Sequence, residues 1–520
     1  MSPSIRLLAV CLIMAVATTL RLPLLTLRPM HTDEAVHAAK MGQLLETGRY
    51  IYDPVEYHGP TLNALTLPIA WLRSQTTYQG LDEVTLRLVP VLCGLGLVLL
   101  PLLMGRGIGA RAALLAVAFT ALSPALVFYS RYYIQETLLV FFTGLLLGSL
   151  WRYLQCPHVG WIVLAGLSCG LMHATKETAI INFGCLGLSL LLLVGLERPQ
   201  WRRRLQPHHL AYGLCAAIGL SALLFTWFGT HPQGWWDSFR TYAVYFNRAG
   251  HGHAHIHPWY YYLDLLTWIE GFEWPGWNED YLVVVAVVGM LYAFFKKELP
   301  GANILWVRFL TLYTFLMTVV YSAIPYKTPW SMLGCLQGMI LLAAVGTDQF
   351  LKNLPDGWEK RMVVTVMVIF GLLSPLGQSI ALNFYKQADP TNPYVYAHTH
   401  PDMFQASAAI RSLAQTQKNA IVQVVCPGDD YWPLPWTLRD LPQVGYAAQV
   451  DVNQPLGDII VIQPEIEPDV LRWVYEKPPP GQRELYVPIL APTTQLRHGV
   501  ELRAYARKSW VDAAAQEASP

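Results

Sequence analysis

Long apolar runs separated by short polar loops recur along most of this 520-residue chain. A helix of roughly 20 apolar residues crosses the hydrocarbon core of a bilayer, and fewer suffice where flanking arginines reach the interface. The pattern therefore predicts an α-helical polytopic membrane protein. Its eleven predicted spans lie at about residues 5–25, 85–104, 110–130, 133–152, 160–175, 178–196, 209–229, 280–295, 303–324, 329–347 and 361–384.

The composition supports this class, since 53% of the residues are hydrophobic and 14% are charged, whereas ordinary soluble domains are about 25% charged. The net charge of +1 indicates no particular partner. The sequence contains no P-loop, no strand-borne dinucleotide-binding glycine motif and no CxxC pair among its eight cysteines. We predict a bilayer protein without a nucleic-acid partner.

Lysine and arginine mark alternate loops between the predicted spans. Because short loops rich in these residues stay in the cytoplasm, we predict a multi-pass plasma-membrane protein with a cytoplasmic N-terminus and an extracytoplasmic C-terminus. This assignment requires a tight hairpin at Lys176-Glu177, since one continuous helix there would reverse every later loop. The residues that mark the cytoplasmic loops are Arg106, Arg111, Arg152, Arg198, Arg202, Arg203, Arg204, Lys296, Lys297, Arg308, Lys352, Lys360 and Arg361.

Three segments are left outside the membrane. Residues 28–84, which include a short interfacial helix, and residues 230–279 form outer loops of a transmembrane domain at 1–385. In the tail at 386–520, "AIVQVVC", "GDIIVIQ" and "VELRAYA" are typical of strands. "DMFQASAAIRSLAQT" and "PDVLRWVYEK" are typical of helices. We predict a small extracytoplasmic α/β domain there.

Ionisable side chains collect at the outer ends of the predicted spans. Placing a charged side chain at the bilayer centre costs on the order of 2.5–3.5 kcal/mol of insertion free energy. Ionisable residues close to a span are therefore candidates for a functional role. Each one alone could be a snorkelling or helix-capping residue. Four separate loops nevertheless bring acids and bases to one level, which suits a reaction at a membrane surface. These residues are Asp33, Glu34, Arg131, Glu136, Lys176, Glu177 and Lys327.

Transfer of a sugar from a polyprenyl phosphate would use such a set. The acceptor hydroxyl must lose its proton to a general base, and Asp33 is the candidate. The departing lipid phosphate gains negative charge, which fixed cations stabilise in a water-poor site. The candidate phosphate ligands are Arg131, Lys176 and Lys327.

The motifs "HTDEAVHA", "DPVEYHGPT", "SRYYIQE", "ATKET", "GHAHIHPWYYYL", "YKTPW" and "DDYWPLPWTLRD" occur in this order. The ordered set resembles the C-fold (GT-C) glycosyltransferases, which include protein O-mannosyltransferases and lipid A aminoarabinose transferases, and most of all a flippase-activity-associated prokaryotic branch. The resemblance implies that Asp33 is the catalytic base, with Glu34 beside it, and that Glu136 is a second acid. Glu177 and His58 are further candidates on the acceptor side.

The resemblance has a limit in the tail, which lacks the W-W-D-Y-G signature of the oligosaccharyltransferase members. "DDYWPLPW" is only superficially like it. Transfer of a whole oligosaccharide to asparagine is therefore not implied.

His251, His253, His255 and His257 occupy every second position. In an extended segment all four would lie on one side, where neutral imidazoles could bind a divalent metal ion. The alternative is a polar loop with its own hydrogen bonds, followed by an aromatic belt at the membrane interface. The predicted chemistry itself requires no cofactor.

Three functions compete. A glycosyltransferase fits the outer cluster of charges and would take a polyprenyl-phosphate sugar as donor and a protein, lipid or glycan as acceptor. A non-catalytic flippase component or transporter would favour discontinuous helices with polar groups near the midplane. A sensor or assembly protein would bind a partner through the tail.

Overall fold

The computed structural model describes residues 2–56, 58–197, 204–251, 255–267, 279–416, 420–451, 455–479, 481 and 483–517. Up to Phe384 the described chain is almost entirely helical. The helices of this part are α1 (Pro3–Arg21), α2 (Thr32–Thr47), α3 (Thr61–Leu72), α4 (Glu83–Leu99), α5 (Gly105–Ile108), α6 (Ala110–Leu122), α7 (Pro124–Ser130), α8 (Glu136–Gln155), α9 (Val159–His173), α10 (Ala179–Glu197), α11 (Pro207–Phe225), α12 (Gln233–His251), α13 (Tyr261–Thr267), α14 (Asp280–Phe295), α15 (Ile304–Ala323), α16 (Leu333–Asn353), α17 (Trp358–Val368) and α18 (Ser374–Phe384).

The predicted apolar runs coincide with these helices, and the chain is a multi-pass membrane protein. Eight helical segments of the described chain are long and apolar enough to cross a membrane. The pair α6 and α7, bent by 57° at its break, makes a ninth if it counts as one span. Helices α9 and α14 are apolar but shorter. The total of eleven spans therefore stays a prediction.

Successive spans run in opposite directions, so alternate loops lie at opposite ends of the helix bundle. The start of α8 meets the start of α10 through the ion pair of Glu136 with Lys176. We call this the site end of the bundle. The opposite end of α10 meets the start of α15 through the ion pair of Glu197 with Arg308. We call this the basic end, because it also carries the described arginines and lysines that marked the cytoplasmic loops.

The predicted hairpin at Lys176-Glu177 is confirmed. Helix α9 ends at His173, and α10 begins at Ala179 after a turn of five intervening residues. The backbone N–H of Ala179 donates to the carbonyl of Lys176 at 3.0 Å, which closes the turn. The basic loops consequently share one end, as the charge pattern requires.

Helix α16 lies at the centre of the bundle and is buried along most of its length. Its backbone touches that of α14 through two glycines. A Cβ added at Gly289 would lie 2.1 Å from the carbonyl oxygen of Leu342, and one added at Gly346 would lie 2.5 Å from that of Val285. Small residues let spanning helices pack this closely without a hydrophobic driving force between them.

The tail folds into a small α/β unit, as predicted. Its main sheet has the order β2-β1-β3-β7-β4, in which β1, β2 and β3 are parallel and β7 pairs antiparallel with both β3 and β4. The strands are β1 (Val422–Val425), β2 (Val444–Ala447), β3 (Ile459–Ile462), β4 (Tyr486–Pro488), β5 (Gln495–Arg497), β6 (Val500–Glu501) and β7 (Arg503–Arg507). The helices are α19 (Asp402–Thr416), α20 (Leu434–Thr437), α21 (Glu467–Tyr475) and α22 (Lys508–Glu517).

The α/β unit sits on the site end of the bundle. The indole of Trp436 donates to the carboxylate of Glu83, the first residue of α4, at 2.9 Å. The guanidinium of Arg439 donates to the carbonyl of Leu81 at 2.8 Å. These bonds tie the tail to the loop between α3 and α4.

Gly289→Leu should destabilise the protein, because the new side chain meets the backbone of α16. Overpacking typically lowers the free energy of unfolding by about 1–3 kcal/mol. Because the neighbour here is backbone, which cannot move aside, we expect a loss at or above the upper end of that range. The measurement is the thermal unfolding midpoint of the purified protein in detergent.

Gly184→Leu is the matched control, since no atom lies within 4 Å of the added Cβ. Both changes raise helix propensity by the same amount. Equal midpoints for the two variants would contradict the close contact of α14 with α16.

Candidate functional site

The segment "PMHTDEAVHA" forms the first turns of α2, and its first residues cap the helix. The N–H of Asp33 donates to Nδ1 of His31 at 3.0 Å, and the carboxylate of Glu34 accepts the N–H of His31 at 3.0 Å. This is a capping box built with histidine. Because successive helical residues point about 100° apart, the two acids face different surroundings.

Glu34 is fully buried and ion-paired. Arg87 of α4 donates to both of its oxygens, from Nε at 2.7 Å and from Nη2 at 2.6 Å, and the N–H of Tyr133 donates at 2.8 Å. Burial alone would raise the pKa of Glu34, but the charges of Arg87 and Arg28 and these hydrogen bonds lower it to about 2. The predicted catalytic role for Glu34 does not fit this geometry. Its oxygens are occupied, and it anchors the helix.

Asp33 has the opposite environment. Its side chain is 43% exposed, and its carboxylate lies 3.9 Å from Nδ1 of His31. No other residue of the described chain hydrogen-bonds to or pairs with it. Of the four predicted carboxylates, Asp33 is the one whose oxygens are open to an incoming group.

Three imidazoles lie within electrostatic reach of Asp33. They belong to His31, His37 and His255. Burial lowers the pKa of His37 to about 3, helped by the charge of His58 and opposed by that of Asp33. Burial likewise lowers the pKa of His255 against the pull of Asp33. At neutral pH the carboxylate is therefore surrounded by neutral rings.

The structure brings together four further predicted residues beside His37. Lys176 pairs with Glu136, and Nδ1 of His58 lies 2.8 Å from Oε1 of Glu177. The ring centroids of His37 and His58 are 5.8 Å apart. Burial opposes a charge on Lys176, but Glu136 and Glu177 raise its pKa, so it stays cationic. We call Asp33, His37, His58, Glu136, Lys176 and Glu177 the acid–base cluster.

Gly59 positions the His58 side of this cluster. A Cβ at Gly59 would lie 2.2 Å from the carbonyl oxygen of Ala174. The same oxygen accepts the N–H of Thr61 at 3.0 Å and its hydroxyl at 2.7 Å. The loop before α3 is thus fastened to the hairpin that carries Lys176 and Glu177.

Lys327 is buried beside His255, whose carbonyl accepts its backbone N–H at 2.9 Å. Its ammonium donates to the carbonyl of His257 at 3.1 Å and to that of Ile324. A lysine has three donors, so one remains for a ligand. Burial lowers the pKa of Lys327. Its placement is compatible with the predicted phosphate contact.

Arg131 does not have this freedom. Its guanidinium donates to the carbonyls of Leu20, Arg21 and Leu24, at 3.3, 2.9 and 3.1 Å, and lies over the ring of Phe384 at 4.8 Å. It caps the C-terminal end of α1. The predicted role of Arg131 as a phosphate ligand does not fit this geometry, because its guanidinium N–H groups already donate to backbone carbonyls.

Two of the four alternating histidines lie within the described side chains. Nδ1 of His255 and Nε2 of His257 contact the hydroxyl of Tyr396 at 2.5 and 3.2 Å. These two rings share a side, as the spacing predicts, but a tyrosine hydroxyl lies between them. His253 and the side chain of His251 lie outside the described residues. Within the described chain, no group of three or more metal-ligating side chains occurs.

Sequence reasoning missed several residues that hold the site. Arg87 lies inside a predicted span, and a charge in an apolar run signals a buried partner. The segment "YVYAHTHP" after the last span also carried a signal, since it mixes aromatic rings with histidine. Its Tyr396 carbonyl lies 3.1 Å from Nε2 of His31, and its His398 ring stacks on Tyr132 at 5.4 Å.

The tail also holds the first turn of α2. Arg497 donates to the hydroxyl of Thr32 at 3.3 Å and pairs with Asp430. The hydroxyl of Thr399 donates to the carbonyl of Met30 at 2.7 Å. The α/β unit therefore holds the residues on the N-terminal side of Asp33.

Glu34→Gln should destabilise the protein by about 3–5 kcal/mol, because it leaves the Arg87 charge buried without its partner. Asp33→Asn is the matched control and should unfold at the wild-type temperature. The readout is thermal unfolding together with the monodisperse fraction on size exclusion.

The same pair predicts an acid sensitivity. The pKa of Glu34 is lower in the folded protein than the value of about 4.3 in the unfolded chain. Its contribution to the free energy of unfolding is therefore complete above about pH 4.3 and is lost as the pH falls toward 2. Equal stability of Glu34→Gln and Asp33→Asn at pH 7 would show that the ion pair is not the anchor.

Known proteins with similar sequences are mannosyl and arabinosyl transferases. Residues 57–232 match the family described as dolichyl-phosphate-mannose-protein mannosyltransferase. An undecaprenyl phosphate-alpha-4-amino-4-deoxy-L-arabinose arabinosyl transferase of Pseudomonas fluorescens is 26% identical over 285 residues, which are 54% of this chain and 46% of that protein. Its counterpart in Pseudomonas aeruginosa is 28% identical over 220 residues, 41% of this chain and 36% of that protein. The chain thus matches less than half the length of each relative.

Solved structures share the fold over most of the chain. ArnT from Cupriavidus metallidurans bound to undecaprenyl phosphate has a TM-score of 0.65 at 16% identity, covering 97% of this chain and 98% of that one. The archaeal oligosaccharyltransferase AglB from Archaeoglobus fulgidus has a TM-score of 0.57 at 12% identity, covering 89% of this chain and 70% of that one. The chain has the C-fold architecture and resembles the aminoarabinose transferases and protein O-mannosyltransferases.

Proposed function

We propose that this chain is a membrane glycosyltransferase that moves a sugar from a polyprenyl-phosphate-linked donor to an acceptor at the site end of the bundle. One observation carries the proposal: Asp33 is an open carboxylate at an end of a multi-span bundle that also holds two buried lysines. Asp33 and Lys176 both lie within electrostatic reach of His37, and the N–H of Lys327 donates to the carbonyl of His255, whose ring Asp33 also reaches. The likeness in fold and the transferase activities of the similar proteins support it.

The reaction needs one proton acceptor and one charged stabiliser. As the acceptor oxygen bonds to the anomeric carbon, its proton passes to the Asp33 carboxylate, and the bond from that carbon to the phosphate oxygen breaks. A carboxylate that accepts no hydrogen bond from the described chain is free to take this proton. The half-exposed position of Asp33 leaves it within reach of an acceptor from the aqueous side.

The departing phosphate carries the electron pair and the negative charge. Lys176 and Lys327 are both buried, so their attraction for a developing anion is screened less than at a surface. The contact of Lys176 with Glu136 keeps the lysine charged until the phosphate arrives. His58 lies next to the ring of His37 and pairs with Glu177, so both are suited to orient the acceptor or the sugar.

The membrane orientation belongs to the same proposal. We place the basic end in the cytoplasm, because loops rich in lysine and arginine stay there. The site end and the α/β unit then face outward, where a lipid-borne sugar meets its acceptor. Running the transfer assay with and without EDTA tests whether the reaction needs a divalent metal ion.

Asp33→Asn should lower sugar transfer by about 10²–10⁴-fold, the usual contribution of a general base. The assay uses purified protein in lipid, a panel of radiolabelled polyprenyl-phosphate sugars and a cell-envelope extract as acceptor. Asp389→Asn is the control, since Asp389 lies on a loop and contacts Lys386 and Thr391. Full turnover by Asp33→Asn would refute the base assignment. No product from any donor, with the lipids still binding, would favour a flippase or transport role.

Lys327→Gln should weaken donor binding by about tenfold or more, since a hydrogen bond to a charged group contributes about 1.5–3 kcal/mol. Arg131→Gln should instead lower the unfolding temperature and leave the affinity of the folded protein near the wild-type value. The readout is the Kd for a polyprenyl phosphate together with the KM for the donor. An unchanged Kd for Lys327→Gln, or a large loss for Arg131→Gln at equal folded fraction, would reverse the two assignments.

A further inference from the structure

A large cavity within the described chain lies at the basic end, away from the proposed site. Its volume is about 1170 Å³. It is lined by the last turn of α8 and the second half of α10, together with the start of α15. The lining residues of α8 begin at Leu150, which at about 1.5 Å per residue places the cavity roughly 20–30 Å from Glu136 of the acid–base cluster.

The walls of the cavity are apolar and its rim is cationic. One carboxylate, Glu197, accompanies four basic side chains. The apolar lining includes Leu150, Leu186, Leu190, Leu193, Leu210 and Phe309, and the basic lining consists of Arg106, Arg204, Lys297 and Arg308.

The positive charge is not balanced within the described protein. Arg308 is satisfied by Glu197 and by the carbonyls of Ala293 and Lys296. Arg106 and Lys297 are exposed, and no side-chain hydrogen bond or ion pair links either of them to the described residues. An anion is therefore the complementary ligand for this rim.

Two buried donors add an independent indication of a ligand. Trp151 and Trp306 line the cavity at 7% and 5% exposure, with their rings 4.9 Å apart. Neither indole N–H has an acceptor among the described residues. A buried donor without a partner is unfavourable, and an oxygen-rich headgroup would supply the acceptors.

We propose that this cavity binds one anionic phospholipid from the surrounding leaflet. Its phosphate would lie between Arg106 and Lys297 within reach of the indoles, and its acyl chains along the leucines. A free phosphate would leave the apolar walls unused. Leu190 is 41% exposed, so this wall continues onto the outer surface of the bundle. Basic pockets between spanning helices are typical binding sites for acidic lipid headgroups.

The test measures binding of phosphatidylglycerol and phosphatidylcholine to the delipidated full-length protein by native mass spectrometry. Wild type should retain phosphatidylglycerol preferentially. Gly187→Trp should abolish this preference, because Gly187 lines the cavity and no atom lies within 4 Å of its added Cβ, so the indole fills the space. Gly184→Trp on the same helix is the control, since Gly184 has equal room but is not among the lining residues.

Charge reversal provides a second arm. The double variant Arg106→Glu/Lys297→Glu should weaken phosphatidylglycerol binding by about tenfold or more, as expected from a cost near 1 kcal/mol per basic residue lost. Lys360→Glu, whose residue pairs with Asp356 at the same end, is the control. Unfolding midpoints measured without lipid verify that all variants fold.

Four results would overturn the proposal. Equal retention of the two lipids would remove the anion preference. Undiminished phosphatidylglycerol binding by Gly187→Trp would place the lipid elsewhere. Preferential binding of undecaprenyl phosphate, or displacement by millimolar inorganic phosphate alone, would identify a carrier site or a small-anion site instead.

Discussion

The buried ion pair of Glu34 with Arg87 is the interaction on which the site depends. Removing two charges from water costs several kcal/mol for each ion, and only good geometry with further hydrogen bonds offsets this cost. Here both carboxylate oxygens are used, and the guanidinium also donates to the carbonyls of Leu25 and Arg28. The pair therefore fixes where α2 begins and which way it turns. Asp33, one residue earlier, is left facing out of the same turn.

Much of the fold followed from the sequence because lipid is a simple solvent. An apolar run of sufficient length must be helical, since its backbone has no other partner. The charges then decided the difficult case, because only a break at Lys176-Glu177 kept the basic loops on one side. The same reasoning could not count the spans, since α9 and α14 are shorter than a full crossing and their lengths depend on where neighbouring loops turn.

The site was harder to predict because sequence positions do not specify rotation about a helix. Asp33 and Glu34 are neighbours in the chain and have opposite surroundings, one open and one enclosed by Arg87. Arg131 lies at the right level of the membrane, but its donors reach back to the carbonyls that end α1. The bond of Arg497 to Thr32 joins residues 465 positions apart, and no local pattern indicates such a contact.

The short length of α9 has a consequence for the bilayer itself. Its 15 residues cover about 22 Å at 1.5 Å per residue, well below the roughly 30 Å thickness of an average hydrocarbon core. Such a mismatch is relieved by local thinning of the lipid. Because α9 ends beside the hairpin that carries Lys176, the headgroup layer should dip there. A lipid phosphate could then meet a buried lysine without leaving its own leaflet.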